Sequence, residues 1–184
     1  MSKNGLILLT PTSIAYTGGS STATISANGS VTFSACATLS LNGVFTSDYD
    51  NYLLIMRTIL DGSGVLDKAL YMDFPPYTSS TFTVQLLSAA STTVSGSRST
   101  SQTEFVVGRI DDAGLYSGSI NYLYGPYLAQ PTAHRLADAS TGGSASIYDR
   151  AGTESSNTQH QNCRLYVSGL SPISGRVAVY GMRK

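Results

Sequence analysis

The chain has 184 residues with 11 basic and 11 acidic side chains, so its formal net charge is zero and only 12% of its residues are charged. That length fits one domain with enough interior to fold without disulfide staples, and the charge balance excludes a protein that holds nucleic acid on a basic face. Hydrophobic residues make up 41%, and 28 Ser and 20 Thr supply small hydroxyls. Such a chain buries a core behind a hydroxyl-rich surface with little repulsion between copies, which favours packing into a larger assembly.

Residues 1 to 29 are mostly Ser, Thr, Gly and Ala around Gly18-Gly19-Ser20-Ser21, which reads as an extended arm. Their one apolar run, Leu6-Ile7-Leu8-Leu9, is far shorter than the roughly 18 residues of a membrane span and too short for a secretory core. It is the expected attachment element of the arm, and residues 30 to 184 are the expected single domain.

From Val31 the period is two. Val31, Phe33 and Ala35 alternate with Thr32 and Ser34, and Leu39 and Leu41 alternate with Ser40 and Asn42 before a turn at Asn42-Gly43. Tyr52 to Leu60 is apolar apart from Arg57 and Thr58 and lies between Asp48-Tyr49-Asp50-Asn51 and Asp61-Gly62-Ser63-Gly64. A short apolar run between turn signals predicts a central strand buried on both faces. Further strands are expected over Ala69 to Phe74, Thr81 to Ser88, Glu104 to Ile110, Ser117 to Tyr124, Ala145 to Asp149, Arg164 to Ser168 and Arg176 to Met182. Pro75-Pro76, Ser95-Gly96-Ser97, Asp111-Asp112-Ala113-Gly114, Thr141-Gly142-Gly143-Ser144 and Ser171-Pro172 mark turns between them. Tyr127 to Ala139, broken by Pro131, reads as irregular or strand, and no segment keeps helical spacing over a dozen residues. About ten short antiparallel strands predict an all-β fold: a β-sandwich, jelly-roll-like, with a small barrel as the other solution.

Little of the sequence points to catalysis. Asp48, Asp50 and Asn51 offer alternating oxygens of the kind calcium takes, but Leu53 and Ile59 stand where an EF-hand loop needs Gly and Glu. The paired acids Asp111-Asp112 fall in a hairpin turn, and His134 and His160 have no spaced metal partner or nucleophile motif. Cys36 and Cys163 are too few for a zinc site and are expected to be buried apolar residues, with a single bridge as the alternative. No catalytic residue, metal or cofactor is expected. Twelve of the 17 aromatic residues are Tyr, and Tyr116, Tyr122, Tyr124 and Tyr127 fall within twelve residues. Tyr joins a large apolar body to a polar tip, so these four form the candidate contact surface for protein or sugar.

Three segments carry a resemblance. Ser30 to Phe33 with Leu39-Ser40-Leu41-Asn42-Gly43-Val44-Phe45-Thr46-Ser47-Asp48-Tyr49-Asp50-Asn51-Tyr52, then Tyr124 to Thr132, then Gly175-Arg176-Val177-Ala178-Val179-Tyr180-Gly181, resemble a β-domain common in tailed bacteriophages, especially marine and cyanobacterial ones. In that family the domain ends a minor tail or tail-fibre protein or stands alone as a small virion protein. The resemblance implies a non-enzymatic virion structural protein without family catalytic residues, attached to the tail as an accessory or fibre-associated component, a homotrimer or ring. A capsid-decoration protein and a module that recognises a host surface glycan are the alternatives. Its partners are then other virion proteins, with no nucleic acid and no membrane span, and its location is the virion, assembled in the host cytoplasm.

Overall fold

The computed structural model describes residues 5–61, 68–76, 81–90, 92–110, 114–140 and 146–183. They form fifteen strands: β1 (Leu6–Leu9), β2 (Ser13–Thr17), β3 (Thr22–Ile25), β4 (Val31–Cys36), β5 (Thr38–Asn42), β6 (Asn51–Leu60), β7 (Lys68–Asp73), β8 (Phe82–Ala90), β9 (Thr93–Gln102), β10 (Phe105–Ile110), β11 (Ser117–Tyr124), β12 (Thr132–Ser140), β13 (Ser146–Glu154), β14 (Cys163–Val167) and β15 (Ile173–Met182). The one helical element among the described residues is a three-residue 3-10 turn, Ser168–Leu170.

All pairings are antiparallel, in two sheets. The larger runs β3-β4-β15-β6-β11-β12-β13-β8-β9, with β1 also on β15, and the smaller runs β10-β7-β14-β5-β2. Within them, β4-β15-β6-β11 faces β5-β14-β7-β10. In chain order these eight strands alternate between the sheets except at the β7–β10 step, which is the two-Greek-key path of a jelly roll. The hairpin β8–β9 is inserted between β7 and β10 and the hairpin β12–β13 between β11 and β14. Together they widen one sheet by four strands.

The core lies between the sheets and follows the period-two pattern. Val31, Phe33, Leu39, Leu41, Leu70, Met72, Phe105, Val107, Leu123, Leu165, Val167, Val177 and Val179 are all buried. An aromatic chain crosses it: Phe45 meets Tyr52 edge-on at 4.8 Å, and Phe74 lies 6.1 Å from each of Phe45, Phe82 and Phe105.

Three expectations need correction. Residues 6 to 25 are not a separate arm: β1 pairs with β15, β2 with β5, and β3 with β4, so this segment is built into both sheets. Leu9, Ile14 and Ile25 pack against the core. Strand β6 is central, between β15 and β11, but only its inward face is buried along its whole length. Leu54 is 0% exposed; on the outward face Leu53 is buried at 6%, but Ile55 is 41% exposed and Arg57 is exposed as well. Finally, Ser95-Gly96-Ser97 sits within β9 rather than in a turn. Leu54→Ala is therefore expected to cost about 2–5 kcal/mol, and Ile55→Ala under about 1 kcal/mol, in chemical denaturation.

Candidate functional site

The outer face of the larger sheet carries most of the residues that chemistry singles out. On β6 the outward residues are Leu53, Ile55 and Arg57. Register sets Leu53 between Tyr180 and Tyr122, Ile55 between Ala178 and Ile120, and Arg57 between Arg176 and Gly118. The Ile55 row continues through Ala137 and Asp149 to Leu87 on β8, an almost wholly apolar line across six strands. At the far end, Leu87, Val94 and Ile147 are exposed by 54%, 68% and 66%, on the same outward face. Arg135 and Asp149 form the ion pair on this face, and both are too exposed for it to add much stability.

Of the four candidate tyrosines, the structure brings two together. Tyr122 and Tyr124 share the outward face of β11 and stack with ring centroids 6.4 Å apart and planes 11° off parallel. Tyr116 points to the same side at the other end of β11, where its ring carries the Arg57 guanidinium at 3.8 Å. Tyr127 is half-buried against the core and does not join them. The apolar run also divides: Leu6 is exposed, Ile7, Leu8 and Leu9 are half-buried, and Leu9 packs on the core.

The three segments quoted for the resemblance converge at one corner. The Tyr49 ring lies flat against Gly181, where a Cβ would sit 2.5 Å from ring carbons, so only glycine fits. Tyr52 is fully buried; its hydroxyl accepts the Thr46 N–H at 2.8 Å and donates to the Thr46 carbonyl at 2.8 Å. Gly125 N–H donates to the Asp50 carbonyl at 2.8 Å, which ties the second segment to the first. Gly43 turns with φ +62°, as Asn42-Gly43 predicts, and the Thr12 side chain occupies the space a Cβ would need.

Both histidines are inside. His134 stacks on Phe105 at 4.7 Å, and its Nε2 meets Asn121 Oδ1 at 2.9 Å. The Asn121 amide nitrogen donates to the Val107 carbonyl, so Oδ1 is the acceptor and Nε2 carries the ring proton. Burial, reinforced by Arg150, pushes the His134 pKa down to about 3. His160 stacks on Phe74 at 4.2 Å and meets Glu154 at 3.1 Å. Burial lowers its pKa against the pull of that carboxylate. Burial alone would raise Glu154, but hydrogen bonds from Thr81, His160 and Ser156 outweigh it and hold the carboxyl low. Both Glu154 oxygens are thus engaged inside the protein by hydroxyl, backbone and imidazole groups.

Asp48 is exposed and Asp50 half-exposed in the loop before β6. Among the described residues no three His, Cys, Asp or Glu side chains come together to hold a metal. Asp111-Asp112 lies outside the described residues. Cys36 and Cys163 are both buried and free, and burial pushes the Cys163 thiol up to about 12, leaving it unreactive. No described helix is long and apolar enough to cross a membrane.

No family model matches this chain, and no curated protein matches it. Among solved structures, it is similar to a protein of unknown function from Shewanella oneidensis MR-1 at 7% identity, covering 94% of this chain and 78% of that one with a TM-score of 0.21. A score that low carries no argument about fold or function.

Proposed function

We propose that this chain is a non-enzymatic structural protein of a tailed-bacteriophage particle, a jelly-roll module attached to the tail as a homotrimer or ring. The observation that carries the reading is the uncovered far end of the larger sheet. There β8, β9 and β13 extend beyond the jelly roll and expose Leu87, Val94 and Ile147, while almost all of edge strand β9 is exposed. Contiguous exposed apolar side chains next to an open strand edge mark a protein interface. Zero net charge opposes no such contact between copies. The architecture supports the reading too, since jelly rolls build many viral capsid and lectin domains, although fold alone does not set function. The corner where Tyr49, Gly181, Asp50 and Gly125 meet joins parts of the three segments on which the resemblance rests.

Light scattering of the purified chain is expected to give a trimer or ring mass, and Ile147→Asp with Leu87→Asp is expected to give a folded monomer. Locating the chain's density in intact particles then separates the positions. A multiple of three or six copies on the tail supports the proposal. Hundreds of copies on the capsid would replace it with a decoration role, and absence from purified particles would end both readings. Recognition of a host glycan is a second reading, favoured by the stacked, outward Tyr122 and Tyr124.

A further inference from the structure

Register sets Arg150, Leu86 and Ser97 in one row across β13, β8 and β9, and Val84 beside Ser99 in the next. Both rows lie on the opposite face of these strands from exposed Leu87. In the smaller sheet Leu70 and Met72 point into the core, so Tyr71 between them faces outward beside its cross-strand partner Val106. The inner face of one sheet and the outer face of the other nevertheless line a single narrow cleft of about 70 Å³. The added strands therefore curl past edge strand β10 and return over the outside of the smaller sheet. Arg109 on β10, its guanidinium 4.8 Å from the Tyr148 ring of β13, holds this wrap closed.

Arg150 is the charged group of the cleft. It is 8% exposed, and its Nε has no hydrogen-bond partner among the described residues. A guanidinium keeps its proton even in the interior, so burial leaves a positive charge with an unused donor, an arrangement that costs stability. The Asp138 carboxylate offsets part of that charge and Arg109 adds to it. Tyr71 lies close enough to act on the guanidinium and is also a wall of the cleft, which brings the charged head of Arg150 to the cavity and not only its stem. Glu104, on the same walls, already accepts the hydroxyl protons of Thr103 and Tyr166.

We propose that this cleft binds the carboxylate of a small organic monoanion, which accepts the Arg150 Nε–H and rests its attached carbon against Val84 and Val106. A planar carboxylate is the natural partner of a guanidinium. The volume is that of about two water molecules, enough for the acid group and the first carbon or two. Val84, Leu86 and Val106 supply apolar walls for that carbon. The nearby Glu104 charge disfavours a dianion such as phosphate. Ser97 and Ser99 are exposed where the cleft opens along β9, so hydroxyls on the rest of the molecule find partners there. The inference depends neither on the assembly reading nor on the stacked tyrosines, since the Leu87 cluster and Tyr122 both lie on the other face of the larger sheet.

The test is a titration of the full chain with acetate, glucuronate, acetamide and inorganic phosphate at constant ionic strength, followed by amide chemical shifts. At least one of the two acids is expected to bind with a Kd on the order of 1–10 mM, within the reach of so small a ligand. Acetamide, which keeps the shape of acetate without its charge, and phosphate are each expected to bind about tenfold or more weakly. Acetate binding at least as tightly as glucuronate assigns the site to a free short-chain acid, and tighter glucuronate assigns it to a sugar acid. Shifts should centre on Val84, Ser99 and Arg150. Arg150→Met is expected to abolish binding. Ser99→Phe, which fills the mouth from an exposed position and leaves Arg150 in place, is expected to weaken it about tenfold, and it serves as the test if Arg150→Met does not fold. Four results would overturn the proposal: neither acid binding at about 50 mM, acetamide or phosphate binding as tightly, shifts centred away from the cleft, or unchanged binding in whichever variants fold. None of these bears on light scattering or particle location, so the assembly proposal stands or falls separately.

Discussion

A chain lacking residues 1–29 is expected to fail to fold, or to melt roughly 10 °C or more below the full chain. Strand β2 forms one edge of the smaller sheet against β5, β3 forms one edge of the larger sheet against β4, and β1 completes the pairing of β15. Removing them strips hydrogen-bond partners from three strands and uncovers core from which Leu9, Ile14 and Ile25 now exclude water. Full burial of an aliphatic side chain is worth about 1.5–3 kcal/mol. Three partly buried ones therefore account for roughly 4 kcal/mol, a large share of the 5–15 kcal/mol that typically holds a domain together. Thermal melting of the truncated chain checks this, and a loss of under about 3 °C would restore the free-arm view. Should the truncated chain be insoluble, Ile14→Asp in the full chain makes the same point, with a clear drop in melting temperature expected.

What the sequence revealed depended on where each strand lies. The alternation of Val31 with Phe33 and of Leu39 with Leu41 is legible because one face meets the opposite sheet and the other meets water. The same logic misleads at β6. Leu53, Leu54 and Ile55 look alike in sequence, yet Leu53 and Leu54 are buried and Ile55 is exposed, because what covers each outward position is a property of the whole fold and not of the strand. Strands β2, β3 and β9 escape a reading by pattern because they are held largely by backbone pairing at sheet edges, where Ser, Thr and Gly serve as well as Val. Strand β12 is blurred for another reason: its inward positions include His134 and Asp138, polar residues that break the apolar period. Parity along β11 does place Tyr116, Tyr122 and Tyr124 on one face, while Tyr127 lies past the strand and turns inward. Nothing in sequence joins Arg57 to Arg176, since their meeting depends on the register between β6 and β15.

Acidification is expected to destabilise the fold steeply, with His134 the largest single contributor. Its Nε2 already holds a proton toward Asn121 Oδ1, so an added proton must go to Nδ1, which is buried with no hydrogen-bond partner among the described residues. A charge there would sit against Phe105 with Arg150 nearby, and burial and that like charge together set the folded pKa at about 3, below the ordinary value near 6.5. The sign follows directly. Above about pH 6.5 both folded and unfolded chains keep the ring neutral, and the group makes no difference. Between about 6.5 and 3 the unfolded chain takes up a proton that the folded chain refuses, so stability falls by about 1.4 kcal/mol per pH unit, or roughly 3 kcal/mol by pH 4. His160, also lowered by burial, and Glu154, held low by its hydrogen bonds, add loss in the same direction. Urea unfolding at pH 7, 5.5 and 4 measures the slope. His134→Gln is expected to be less stable than the native chain at pH 7, having lost the ring stacked on Phe105, but to lose about one proton's worth of slope below pH 6.5. Equal slopes in the two proteins would mean that the His134 ring accepts its second proton without leaving the folded state.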